Sequence, residues 1–312
     1  MTDILETPPL PYFIGRIDSS SEDKGLLEQL VTVAAMSGCN AVAAFGGAGS
    51  ADDWLDRLGI LRELCQGEMD FICIPSNPDE LELIEALEPS GWQVDSPLLN
   101  HEPLLRRIAE TGRPTYLVTG SSTDEEIEFA LDIIHRESTT LLHTIDGAND
   151  EFEEMALSYI PLFRKKYGVR IGHLTQRANI YAGIAAVALG AEVIEQPFTS
   201  DHFLAGIGNR DSLDRDQLKE AVSQLRSLYQ SLQSPPTVRM PRTIEVESGL
   251  GARAMLVARI DLKAGEVLDA SMASVSIGQD GLSPRMLQKI LGLKLAYDVP
   301  AGTPFSLGLV VS

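Results

Sequence analysis

Two groups of polar residues lie where predicted strands end and could carry chemistry. The first is the run Thr119–Ser122, which follows an apolar strand and precedes the start of a helix. Backbone N–H groups in such a position can hold an anion. The same residues also fit an ordinary strand-to-helix turn closed by an N-cap. The sequence leaves both interpretations open.

The second group consists of His143 and Asp146, which flank the end of another apolar strand. A histidine and a carboxylate near one substrate can act as general acid and base. The alternative is a hydrogen-bonded core histidine next to a polar turn, which is the commoner arrangement. Either interpretation requires a parallel sheet that gathers its strand ends at one face.

The elements that must position these residues alternate along the first 230 residues. Short apolar runs rich in β-branched or aromatic residues predict eight strands, at Tyr12–Ile17, Ala41–Phe45, Phe71–Ile74, Gly91–Asp95, Pro114–Thr119, Thr140–Thr144, Val169–Leu174 and Val193–Phe198. Between them, apolar residues recur three and four apart, as in helices packed on a sheet. This α/β pattern predicts a (β/α)8 TIM barrel, with a doubly wound sheet as the alternative.

A second, β-rich pattern closes the chain. It contains two related phrases, Asp261–Glu266 and Asp298–Thr303, each placing a Lys/Pro–Ala–Gly turn between two apolar runs. Between the phrases, Ser283 and Pro284 fit the N-cap and first position of a short helix. The segment 231–251 has three prolines and no helical periodicity. We therefore predict a barrel at 1–230, a linker at 231–251 and a small domain at 252–312.

Charge and composition exclude several classes of function. The 312 residues include 45 acidic and 25 basic residues, for a formal net charge of −20, so a nucleic-acid partner is not expected. No apolar stretch is long enough to cross a bilayer, and no membrane partner is expected either. Three cysteines without CxxC spacing predict reduced core thiols. The N-terminus lacks the pattern of a signal peptide, which favours a cytoplasmic protein.

Several phrases of the chain resemble the sialic acid synthase family over nearly the whole length. They are IAETGRP at 108–114, LLHT at 141–144 and ALGAEVIEQPFT at 188–199. The pattern from Ala254 onward resembles the SAF domain, the antifreeze-like β-clip module that closes these synthases. The resemblance implies a TIM barrel that condenses phosphoenolpyruvate with an acylamino sugar, assisted by a divalent metal. It also implies a dimer in which the SAF domain of one subunit covers the barrel mouth of the other.

The chain departs from the family at the residues that carry this chemistry. The two metal-binding histidines correspond to Gln176 and Pro197. Proline offers no side-chain donor atom, and an amide is a weak ligand for ions that favour imidazole. The phosphate-binding lysines of the second and fourth strands correspond to Ala43 and Gln93. The resemblance therefore predicts a site without its metal and without two of its cations.

Two further departures concern the first strand and the SAF domain. Phe13 stands where the family has an acidic residue, although Asp18 lies nearby and could replace it. Ile277 stands where the SAF domain carries an arginine that reaches the sugar site of a partner.

The resemblance leads to a definite set of candidate residues. The predicted catalytic carboxyls are Glu195, which matches the family motif directly, Asp146 and Asp18. The predicted ligand- or phosphate-binding residues are Ser96, Thr119, Gly120, Ser121 and Arg177, of which Arg177 could replace a lost phosphate clamp. No metal ligands are predicted.

The functional prediction is a catalytically degraded synthase homologue of the nonulosonic acid lineage. Such a protein would act as a binding or regulatory partner without a cofactor, as a homodimer or as a heterodimer with an active synthase through the SAF domain. A sugar or phosphoenolpyruvate is a possible ligand. The alternative is a divergent active synthase that still condenses phosphoenolpyruvate with an acylamino sugar and uses Mn²⁺ or Mg²⁺.

Overall fold

The computed structural model describes residues 10–17, 24–45, 50–147, 151–200, 202, 209–233, 240–248 and 252–311. The chain divides into two compact units, Met1–Gln233 and Ser234–Ser312. None of the described helices is long and apolar enough to cross a membrane.

The first unit is built on eight parallel strands that close into a barrel. They are β1 Tyr12–Ile17, β2 Ala41–Phe45, β3 Asp70–Ile74, β4 Gly91–Val94, β5 Thr115–Val118, β6 Thr139–His143, β7 Arg170–Leu174 and β8 Val193–Pro197. Each strand pairs with the next along the chain, and β1 pairs with β8. The predicted TIM barrel is therefore confirmed, and the doubly wound alternative is wrong because an open sheet would leave β1 and β8 unpaired.

Helices follow the strands. They are α1 Lys24–Ser37, α2 Ala51–Cys65, α3 Pro78–Glu85, α4 Glu102–Thr111, α5 Asp124–Ile133, α6 Tyr159–Tyr167, α7 Ile180–Ala188 and α8 Arg215–Leu232. Ahead of α6, the segment after β6 forms a separate 3-10 turn, Phe152–Met155. The two are separate because Ala156 adopts a left-handed conformation, with φ of 44°, which no α-helix continues through.

The barrel strands separate two apolar layers. Because successive side chains point to opposite faces of a strand, β8 directs Val193 into the barrel interior and Ile194 toward the surrounding helices. The lower interior is filled mainly by apolar residues such as Ile14 and Leu142. Higher up, the interior side of β8 carries Glu195, which is fully buried.

The second unit is a small β-rich domain. Its elements are α9 Thr243–Glu247, β9 Arg253–Ala258, β10 Ala273–Gly278, α10 Leu287–Ile290, β11 Lys294–Leu295 and β12 Val310–Val311. Strands β9 and β10 pair antiparallel, as do β11 and β12. Ser283 caps a 3-10 turn, Pro284–Met286, by accepting a hydrogen bond from the N–H of Arg285. The predicted cap and first position are thus correct, with a 3-10 turn ahead of the α-helical turn.

The two related phrases of this domain hold each other in place. Leu262 and Val299 exchange two backbone hydrogen bonds, each of 2.9 Å. Asp261 accepts a hydrogen bond of 2.7 Å from the N–H of Ala301 in the other phrase. Asp298 accepts the equivalent bond, of 2.9 Å, from the N–H of Ala264. Each aspartate therefore closes the turn of the opposite phrase.

Candidate functional site

A polar cluster lies inside the barrel, on β1, β4 and β8. Gln93 and Glu195 are both fully buried, and the amide Nε2 of Gln93 lies 3.4 Å from Oε1 of Glu195. The guanidinium of Arg16 lies 3.9 Å from the same carboxylate oxygen. Sheet register explains this contact, because β1 and β8 are neighbours and Gly15 pairs with Gln196. The cluster thus joins one carboxyl, one amide and one cation.

Burial raises the pKa of Glu195 to about 7, since water does not solvate its charge. The Asp95 carboxylate also raises this pKa, whereas Arg16 and the hydrogen bond from Gln93 lower it. Oε2 of Glu195 and Oε1 of Gln93 have no hydrogen-bond partner among the described residues. An amide at position 93 provides less compensation for the carboxylate than a lysine would, so the neutral form of Glu195 is favoured up to neutral pH.

A second cluster lies where β4, β5, β6 and β7 end, and its centre is Asp146. Oδ2 of Asp146 accepts hydrogen bonds of 3.0 Å from the hydroxyl of Ser96 and 3.0 Å from the N–H of Ser121. Nε2 of Gln176 lies 3.5 Å from the other carboxylate oxygen. The run Thr119–Ser122 therefore does present a backbone N–H to an anion, and that anion is a side chain of the same protein.

Gly120 allows the close approach of these groups. Its φ is +39°, and a Cβ atom at this position would overlap Oγ of Ser96 and Oδ2 of Asp146. The hydroxyl of Thr119 is directed elsewhere, because it donates to the carbonyl of Leu142 at 3.5 Å and the residue is buried. Four of the predicted residues, Ser96, Gly120, Ser121 and Asp146, thus lie together, and Thr119 lies beside them.

His143 does not pair with Asp146. Its ring is directed to the layer between the barrel and α6, where it contacts the rings of Tyr159, Phe163 and His173. Nε2 of His143 lies 2.9 Å from the carbonyl oxygen of Met155. Burial lowers the pKa of this histidine. The structure therefore supports the core interpretation of His143 rather than the acid–base pair.

The two remaining candidates lie apart from both clusters or outside the described residues. Arg177 follows β7, and its guanidinium lies 3.6 Å from the carboxylate of Asp211. Asp18 is not among the residues that the structure describes.

The residues at the family's metal positions do not fit a divalent ion. Pro197 ends β8 and has no donor atom in its side chain. The Nε2 of Gln176 is directed to Asp146. Across the described ranges, no group of three or more His, Cys, Asp or Glu residues is arranged to hold a metal.

Sequence reasoning placed Phe13 on the catalytic face and overlooked Arg16. Phe13 instead packs in the outer layer between strands and helices, because side chains alternate along a strand. Arg16, three residues later, reaches Glu195. The alternation of side chains along β1 indicates that Arg16 faces the barrel interior. Tyr12 and Ile14 lie in the interior layer, and position 16 is on the same face of the strand.

Comparison with known families matches both units. The NeuB family matches residues 51–236, and the SAF domain matches residues 253–311. The N,N′-diacetyllegionaminic acid synthase of Campylobacter jejuni is 28% identical over 229 residues, which cover 71% of this chain and 68% of that protein. The human N-acetylneuraminate-9-phosphate synthase is 26% identical over 238 residues, which cover 74% of this chain and 66% of that protein.

The solved structures agree on the architecture. A spore coat polysaccharide biosynthesis protein from Bacillus subtilis superposes with a TM-score of 0.65 and 22% identity, covering 98% of this chain and 96% of that chain. At this level of identity the likeness concerns the fold.

Proposed function

This chain belongs to the NeuB family, the family of the sialic and pseudaminic acid synthases, and we propose that it is a member that no longer condenses phosphoenolpyruvate with a sugar. In this proposal it acts as a binding or regulatory partner in nonulosonic acid biosynthesis. The observation that carries the proposal is the environment of Glu195, the catalytic-face carboxyl that matches the family motif. Glu195 is fully buried and is held by Gln93 and Arg16, so a substrate cannot reach its carboxyl without rearrangement.

Charge at the barrel interior supports the same conclusion. Ala43 and Gln93 replace lysines that the family uses for phosphate, and both are fully buried. One missing charge-assisted contact costs about 2.7–4 kcal/mol, which is roughly a hundred- to thousand-fold in rate. The carboxyls of Asp95 and Glu195 also lie close enough to influence each other. A phosphoenolpyruvate anion would therefore meet the neutral side chains of Ala43 and Gln93 where the family provides cations.

The SAF domain supports a role in protein association. Val275 and Ile277 lie two apart on β10, so they share a face, and they are 59% and 70% exposed. Ile277 stands where the family places a sugar-contacting arginine. Exposed apolar side chains are better suited to a protein surface than to a sugar. We therefore assign this face to contact with a second subunit, either another copy or an active synthase.

Turnover is tested directly by phosphate release. The purified chain is incubated with phosphoenolpyruvate, Mn²⁺ and a panel of N-acylated amino sugars, beside the Glu195→Gln variant. The proposal expects background release from both proteins. Release by the wild type that falls to background in Glu195→Gln would overturn it.

Association is tested separately by sedimentation velocity, alone and with an intact synthase from the same genome. Ile277→Asp should weaken the complex, whereas Ile244→Asp, which changes another exposed isoleucine of the second unit, should not. If the two variants form the complex equally well, the β10 face is not part of the interface.

One observation favours the alternative of a divergent active synthase. A pKa of about 7 for Glu195 suits a general acid or base at neutral pH. If this alternative is correct, phosphate release should depend on pH through the ionisation of Glu195 and should be lost in Glu195→Gln.

A further inference from the structure

We propose that the loops after β4, β5 and β7 form an oxyanion-binding site that the chain fills with its own Asp146 carboxylate. Three donors from three different loops converge on this carboxylate: the hydroxyl of Ser96, the N–H of Ser121 and the amide of Gln176. Such a donor set suits a small oxyanion, such as inorganic phosphate or a carboxylate. This inference does not rest on loss of catalysis.

The site is built rather than incidental. Ser96 is 8% exposed, so its hydroxyl is fixed below the surface, and it points at Oδ2 of Asp146. Ser122 links the loop after β5 to the loop after β4, because its hydroxyl donates a hydrogen bond of 3.1 Å to the carbonyl oxygen of Ser96. Gly120 leaves no room for a side chain between Ser96 and Asp146. The loops are thus fitted closely around one carboxylate oxygen.

A tethered carboxylate excludes a free anion from this site for two reasons. Asp146 follows β6 by only three residues, and this short connection keeps its carboxylate close to the donors. The effective concentration of the carboxylate there therefore exceeds the millimolar concentration of a free ion. Its negative charge also repels a second anion. Asp146 itself is exposed, and Ser121 lies at the surface, so a free anion can reach the donors once the carboxylate is removed.

The change Asp146→Ala should convert the site into one that binds free anions. The probes are inorganic phosphate and formate, titrated against a KCl series of equal ionic strength, with binding followed by calorimetry and by the midpoint of thermal unfolding. The proposal expects Asp146→Ala to bind phosphate at least about tenfold more tightly than the wild type, with a midpoint that rises as phosphate or formate is added. Asp146→Asn is the matched control, since its amide oxygen still accepts both hydrogen bonds although its charge is lost. It should therefore bind phosphate less tightly than Asp146→Ala does.

Two further variants keep the test decisive. Asp146→Ser also vacates the carboxylate position and replaces Asp146→Ala if that variant does not fold. Adding Ser96→Ala to the vacated variant should weaken phosphate binding, because one donor is lost. The proposal is overturned if the vacated variant binds phosphate no better than the wild type does. It is equally overturned if Ser96→Ala leaves the new binding unchanged. Neither result would bear on the loss of condensation, which is tested on the wild-type chain.

Discussion

Oδ2 of Asp146 lies 3.0 Å from the backbone nitrogen of Ser121 although the residues are 25 positions apart in the chain. The contact joins the loop after β6 to the loop after β5. It places a carboxylate between the ends of these two strands, beside the hydroxyl of Ser96. The Asp146 carboxylate thereby links the loops after β4, β5 and β6 to one another.

Replacement of Gly120 by a residue with a side chain should destabilise the contact between Ser121 and Asp146. An alanine would be strained at φ of +39° and would overlap Ser96 and Asp146, so we expect Gly120→Ala to lower the free energy of unfolding by about 2–4 kcal/mol. Gly112→Ala is the matched control, because Gly112 also has positive φ but a Cβ atom there would meet no atom within 4 Å. It should cost about 1 kcal/mol. Urea denaturation measures both, and equal losses would contradict the close approach at Gly120.

The sequence was sufficient to predict the barrel because each strand is a short buried run that ends at a turn. All eight strands lie within two residues of the predicted limits. Helix α2 is harder to predict from the sequence, because Gly59 at its centre weakens the helical pattern, although Trp54 and Leu58 bury one face.

The site was only partly predictable. Ser96, Ser121 and Asp146 were each named as candidates, but their mutual contact depends on loops that only the closed barrel brings together. The contact between Arg16 and Glu195 likewise follows from the pairing of the first and last strands.

The buried carboxyl of Glu195 should make stability depend on pH. Burial raises its pKa from the ordinary 4.5 to about 7, so between these values the unfolded chain has lost a proton that the folded chain retains. Stability is therefore highest below the lower value and falls as pH rises through the higher one, by roughly 3 kcal/mol in all. Glu195→Gln cannot ionise, so it should exceed the wild type in stability by up to this amount at about pH 8.5 and nearly match it at about pH 4.

Tryptophan fluorescence during urea denaturation is a suitable readout for this comparison, because Trp54 and Trp92 both lie in the barrel unit. The exposed Glu63 provides the control Glu63→Gln. A difference between Glu195→Gln and the wild type that is the same at both pH values would show that Glu195 does not titrate in this way.

The reciprocal caps of the SAF domain predict a local effect on backbone protection. Asp261→Ala removes the acceptor for the N–H of Ala301, a loss of about 1 kcal/mol or about fivefold in amide exchange. Hydrogen–deuterium exchange should therefore accelerate in peptides that contain Ala301. Asp280→Ala, at an exposed turn of the same domain, should leave those peptides unchanged. If exchange in these peptides is unchanged in Asp261→Ala, Asp261 does not protect the N–H of Ala301.

Divalent metal should not stabilise the barrel. Gln176 and Pro197 occupy the family's metal positions. The midpoint of thermal unfolding should therefore be the same in millimolar MnCl₂ as in MgCl₂ of equal concentration. A ligand that binds the folded state at a hundred times its Kd would add about 2.7 kcal/mol. A saturable rise with Mn²⁺ that chelation reverses would reveal ligands outside the described residues.

The most direct test of the proposed loss of condensation is calorimetric titration of the wild-type chain with phosphoenolpyruvate, with and without Mn²⁺. It requires no assumption about the acceptor sugar. The buried Glu195 cluster and the internally filled loops predict no binding up to millimolar phosphoenolpyruvate in a folded sample. Micromolar binding that strengthens with Mn²⁺ would contradict the account and establish a rebuilt active site.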